Sequence, residues 1–203
     1  MRRKLGNFCI FLGAVLLAAA LLLLGYNCWD AARAGNAAEE ILPALLDEMP
    51  DEPTVPDQPL GTPVEYLDED TLTMTEAEID GERYIGWLDI PAIELELPVM
   101  SEWSYSRLKT APCRYSGTVR GEDLVLLGHN YTRHFGKLDR LRVGDEVLFT
   151  DMDGVVYRYE VAARDVLDAD AVAEMTAGEY DLTLFTCDAT GARRITVYCD
   201  MVK

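Results

Sequence analysis

Glu146-Val147-Leu148-Phe149-Thr150-Asp151-Met152-Asp153-Gly154-Val155-Val156-Tyr157-Arg158-Tyr159-Glu160-Val161 reads as two strands about a turn. β-Branched and aromatic residues fill both arms, and Asp153-Gly154 supplies a turn whose positive φ angles cost little. Outward from this hairpin the same texture continues. Tyr84 to Pro91 and Leu95 to Met100 are strand-like runs closed by proline. Leu124 to Leu127 is a continuous apolar run, as in a strand buried on both faces. Leu182 to Thr186 and Ile195 to Val202 give two further strands, and Asp170 to Tyr180, rich in Ala, Glu and Met, predicts one short helix. Many short strands punctuated by turns predict an all-β sandwich or barrel beginning near Arg83.

The segment before that domain has a different character. Basic Arg2, Arg3 and Lys4 precede an uncharged apolar run from Phe8 to Tyr26, close to the about 20 residues that span a bilayer as a helix. The basic flank predicts residues 1–7 in the cytoplasm, 8–26 as a single-pass transmembrane anchor and the remainder outside the cell membrane. Ala32-Arg33-Ala34 also matches a small-x-small cleavage pattern, but the run is longer than a signal-peptide core. Residues 27–82 read as an acidic stalk: Glu39 to Glu82 contains no Lys or Arg, and beyond a helical patch at Glu39–Glu48 come Pro50, Pro53, Pro56, Pro59 and Pro63 among acids. That composition is expected to stay out of the core, because it offers little apolar area against the entropy of ordering.

The whole chain carries 18 basic and 36 acidic residues, a formal charge of −18. Nucleic acid, bound by neutralising phosphates with Lys and Arg, is therefore not an expected partner. Five cysteines without a CxxC pair or Cys/His cluster give neither a disulfide scaffold nor a metal site. No cofactor or metal is expected; Cys113 and Cys199 could pair in an exported protein, but the sequence does not give their separation, and free, partly buried thiols are the expectation. What remains is the reactivity of one thiol. Cys187 directly follows the Leu182–Thr186 strand, and His129, one of only two histidines, follows the Leu124–Leu127 strand through Gly128. Arg193-Arg194 opens the last strand after a turn through Asp188-Ala189-Thr190-Gly191. His134, on the loop beyond His129, is expected to be solvated. Asn130-Tyr131-Thr132 matches a glycosylation sequon, but its place beside His129 argues against a sugar there.

Thr183-Leu184-Phe185-Thr186-Cys187 resembles the Thr-Leu-x-Thr-Cys signature of sortases, and Gly128-His129-Asn130 resembles the sortase histidine motif. Ile85 to Pro91 with Leu97-Pro98-Val99 is similar to the opening strands of sortase domains, as is the segment from His129 to Leu141 with its Phe135-Gly136-Lys137-Leu138. The resemblance covers about Tyr84 to Lys203 and implies a closed sortase-type β-barrel, with residues 83–203 as the catalytic domain. It implies a cysteine transpeptidase with Cys187 as nucleophile, His129 as acid/base and an arginine on the oxyanion side. Arg194, directly before Ile195-Thr196-Val197, fits the family's arginine position, and strand alternation lets only one of Arg193 and Arg194 face the thiol. The implied partners are surface proteins bearing a Leu-Pro-x-Thr-Gly-like sorting signal, and an amine of a peptidoglycan precursor or a pilin. The alternatives are an exported cysteine hydrolase that uses water, and a non-catalytic β-barrel binding module.

Overall fold

The computed structural model describes residues 2–50 and 73–202. The proline-bearing part of the expected stalk, from Asp51 onward, lies outside the described residues. The chain divides into two compact units, Met1–Arg33 and Ala34–Lys203. The first is the leading part of helix α1 (Arg2–Asp47), with Ile10, Phe11, Leu16, Leu17 and Leu21 to Leu24 all exposed. This helix is long and apolar enough to cross a membrane.

In the second unit nine strands are described: β1 (Ala77–Ile79), β2 (Glu82–Ile90), β3 (Leu95–Met100), β4 (Cys113–Ser116), β5 (Leu124–Leu127), β6 (Glu146–Asp151), β7 (Val156–Asp168), β8 (Leu182–Cys187) and β9 (Arg193–Met201). Their order is β1-β2-β3-β4-β5-β8-β9-β7-β6, and β6 also pairs with β2. That last pairing closes eight strands into a barrel and leaves β1 as an extra strand on the N-terminal half of β2. Closure removes the free edges that would otherwise recruit other strands. Gly86 is the seam. It sits at a register shift in β2 with φ 141°, and a Cβ there would lie 1.9 Å from the Thr150 carbonyl oxygen across the β2–β6 pairing.

The expected hairpin is β6–β7, with one difference in its turn. Gly154 has positive φ and Asp153 does not. The loop is wider than a two-residue turn because the Asp151 carboxylate accepts from the amides of Asp153 (3.0 Å) and Val155 (2.9 Å) and from the Tyr157 hydroxyl (2.8 Å). Burial nevertheless holds the Asp151 carboxyl above the usual carboxylate range. Pro98 lies within β3 rather than ending it. This is tolerated because β3 meets β4 only at Met100↔Cys113, so Pro98 has a single strand neighbour, β2. The predicted short helix is one turn, Val172–Met175.

The interior is filled by Leu88 and Ile90 of β2, Leu97 and Val99 of β3, Leu124 and Leu126 of β5, Phe149 of β6, Tyr159 of β7, Leu182 and Leu184 of β8 and Val197 of β9. Helix α1 contributes as well. Within the second unit Ala38 joins this core, and Leu45, with Ile41 and Met49 beside it, packs with Tyr84, Met100, Leu108 and Cys113. The expectation that the whole 27–82 stretch stays out of the core therefore does not hold for 34–47, nor for Met74 and, in β1, Ala77 and Ile79, which pack against the core. Burial of one apolar helix face, about 1.5–3 kcal/mol for a residue such as Leu45, outweighs the local acidity.

Candidate active site

Strands β5 and β8 run parallel, with Leu124↔Leu182 through Leu127↔Phe185 in register. Two residues beyond this last pair stand His129 and Cys187. Alternation puts Leu124, Leu126, Leu182 and Leu184 into the barrel, so Thr183, Phe185 and Cys187 belong to the outer face. Phe185 packs there with Val125 and Met175 in a small outer cluster flanked by Tyr115, Leu127 and Leu167. Cys187 is partly exposed at its end.

The two strand ends are tied on both sides of the proposed pair. Before His129, the Gly128 amide donates to the Phe185 carbonyl (3.2 Å), and the buried Thr186 hydroxyl donates to the Gly128 carbonyl (2.8 Å). After it, the Asn130 side-chain amide donates to the Asp188 carbonyl (3.1 Å). His129 is thus bracketed by residues bonded to those that bracket Cys187. Thr186 and Asn130 were visible only as motif letters. Their structural role needs the parallel register, which no local pattern discloses.

Arg194 is the register partner of Cys187 across the antiparallel β8–β9 ladder. Directly opposed residues project to the same face, with Cα atoms about 4.5–5.5 Å apart. Arg193 is exposed and opposes Asp168 of β7; alternation turns it to the other face. The Arg194 guanidinium donates to the carbonyls of Gly191 (3.1 Å) and Arg193 (3.2 Å), holding it over the turn that joins the strands. Asp188 builds that turn. Its carboxylate accepts from the Thr190 hydroxyl (2.8 and 2.9 Å), the Thr190 amide (3.1 Å) and the Arg193 amide (3.3 Å). These bonds, the Thr190 hydroxyl foremost, hold its carboxyl below the usual range.

His134 departs from expectation: it is fully buried. Burial drives its pKa from 6.5 down to about 4, and the charges of His129 and Arg133 add to the depression. The Ala34 carbonyl bears on the ring, but among the described residues neither ring nitrogen reaches hydrogen-bond geometry with a partner. Cys113 and Cys199 are buried free thiols, as expected. Burial raises Cys113 to about 12 and Cys199 higher still, so both are inert at neutral pH.

A thiol at a strand end, with a histidine from the neighbouring strand and an arginine opposite it, is an arrangement suited to acyl transfer through cysteine. The sortase-domain family model matches residues 88–202. Sortase A of Bacillus anthracis is 29% identical over 142 residues, 66% of this chain and 67% of that protein. Among solved structures, sortase A from Corynebacterium diphtheriae aligns with TM-score 0.55 and 24% identity over 60% of this chain and 62% of that one. Sortase C1 from Streptococcus agalactiae aligns with TM-score 0.54 and 25% identity over 62% and 71%. The chain thus covers less than two thirds of the Corynebacterium structure. It belongs to the sortase family, the β-barrel cysteine transpeptidases.

Proposed function

We propose that Cys187, His129 and Arg194 form the catalytic centre of a transpeptidase that cleaves a Leu-Pro-x-Thr-Gly-like sorting signal and passes its acyl group to an amine. The observation that carries this reading is the cross-strand pairing of Cys187 with Arg194, together with the ties on both sides of His129. The Cys187 thiolate adds to the threonyl carbonyl carbon, forming an S–C bond, and the π pair of the C=O bond moves onto oxygen. Arg194, a permanent cation, faces the oxyanion. As the C–N bond breaks, His129 in its imidazolium form gives its proton to the leaving glycyl nitrogen, and a thioester remains on Cys187. An incoming amine then attacks the thioester, loses a proton to His129 and expels the thiolate. Neither half-reaction changes an oxidation state.

The acceptor is a peptidoglycan-precursor or pilin amine, and the donors are surface proteins that carry the signal. The basic residues ahead of the apolar helix support an N-terminus in the cytoplasm, an anchor over 8–26 and a catalytic domain outside the membrane. Within residues 27–82, the packing of Ala38 and Leu45, and of Met74, Ala77 and Ile79, supports counting 34–47 and the residues from 74 onward with the catalytic domain rather than with a stalk. Product analysis of a cleaved signal peptide, with and without added amine, tests the reaction. Amide product that rises with amine at the expense of free acid supports transpeptidation; free acid alone at every amine concentration makes the protein a hydrolase.

A further inference from the structure

His129 is reached from a direction that the proposed reaction does not require. The loop that follows it is tight: Phe135 N donates to the His129 carbonyl (3.0 Å), and His134 N and Gly136 N both donate to the Tyr131 carbonyl (2.9 Å each). Gly136 permits this closeness, since a Cβ there would lie 2.5 Å from the Asn130 carbonyl oxygen. The loop is therefore tied to itself at several points. The Tyr131 ring lies 4.8 Å from the His129 ring and 5.7 Å from that of His134.

The far side of this loop is held by α1. Arg133 donates to Asn36 Oδ1 (2.6 Å) and pairs with Glu39. Its stem lies so close to the helix that a Cβ at Gly35 would fall 2.6–2.9 Å from Arg133 side-chain atoms. One helical position back, Ala34 is as fully buried as His134. We propose that the helical segment Ala34–Asp47 is a positioning element for the reaction: by holding Arg133 and His134 it sets the loop and, through the Tyr131 ring, the orientation of His129. Arg133 and His134 are positioning residues and touch no reacting atom. The Arg133–Glu39 pair is 40% and 69% exposed at its side chains, and an ion pair so exposed adds little to stability. Its effect is on geometry.

The proposal rests on His129 as the acid/base, and the test separates the two ideas. The chain has two histidines, so ring-labelled histidine in the full-length protein gives two resonances, assigned with His129→Ala and His134→Gln. Arg133→Ala removes the clasp. Gly35→Ala strengthens the helix by propensity yet displaces Arg133. Both variants are expected to move the His129 signal and to lower kcat on a Leu-Pro-x-Thr-Gly-type peptide about tenfold, with KM and Tm unchanged; a 1 Å misplacement can cost about 10²-fold. An unmoved His129 signal, or a moved signal with unchanged kcat, overturns the positioning role while leaving the acid/base reading intact. If His129→Ala keeps full turnover, the acid/base reading falls instead, and the positioning role in the reaction falls with it.

Discussion

Arg193 and Arg194 are adjacent in sequence, yet the ladder separates them: one opposes Cys187 and the other Asp168. Removal of an oxyanion donor costs about 10²–10³ in kcat. Arg194→Ala should lose acylation rate on that scale, whereas Arg193→Ala, an exposed change, should stay within about twofold. Single-turnover acylation of both variants measures this, and equal losses would contradict the register argument. His134 makes a second residue-scale prediction, of opposite character because it concerns stability. Unfolded histidine takes up a proton below about pH 6.5, while the buried ring resists until about pH 4. Protons in that window favour the unfolded chain, so on the order of 3 kcal/mol of stability is lost as pH falls from about 6.5 towards 4. His134→Phe should flatten that slope in denaturant titrations; an unchanged slope would mean that the ring is hydrated.

Among the elements, the two parallel strands β5 and β8 carry the proposed acid/base and nucleophile just beyond their paired residues, and Thr186 pins their ends together. Thr186→Val leaves the Gly128 carbonyl without that donor, which should cost about 1–3 kcal/mol. It should also lower kcat more than it raises KM. Full kcat in a destabilised variant would show that the clip serves folding alone. These strands, and the residues at their tips, were legible because apolar runs ending in Gly-His and in Thr-Cys are local signals. Helix α1 was legible only in part. Averaged over the 27–82 stretch its acids suggest a solvated stalk, but Ala34, Ala38, Ile41 and Leu45 recur at helical spacing and mark the face that packs. His134 was misjudged for the same reason, since its burial depends on a helix nearly a hundred positions upstream. Leu45→Ala should cost about 2–5 kcal/mol of barrel stability; a loss below about 0.5 kcal/mol would mean that this helix face does not pack as described.

For the whole molecule, the β2–β6 pairing closes the barrel, and the proposed site lies on its outer face at the tips of β5, β8 and β9, neighbours in the sheet. A site built on strand ends rather than on long loops is held by the ladders themselves, so little ordering remains to be done when a substrate arrives. The strong net negative charge of the chain disfavours anionic partners. In the proposed mechanism Cys187 carries the acyl group. The most direct test of that step is intact-mass analysis of the full-length chain quenched during turnover of a Leu-Pro-x-Thr-Gly-type peptide without added amine. A mass increase equal to the threonyl-terminated fragment is expected, located on Cys187, absent in Cys187→Ala and discharged by an added amine as an amide. Cleavage that persists in Cys187→Ala, or an adduct on another residue, would contradict the mechanism.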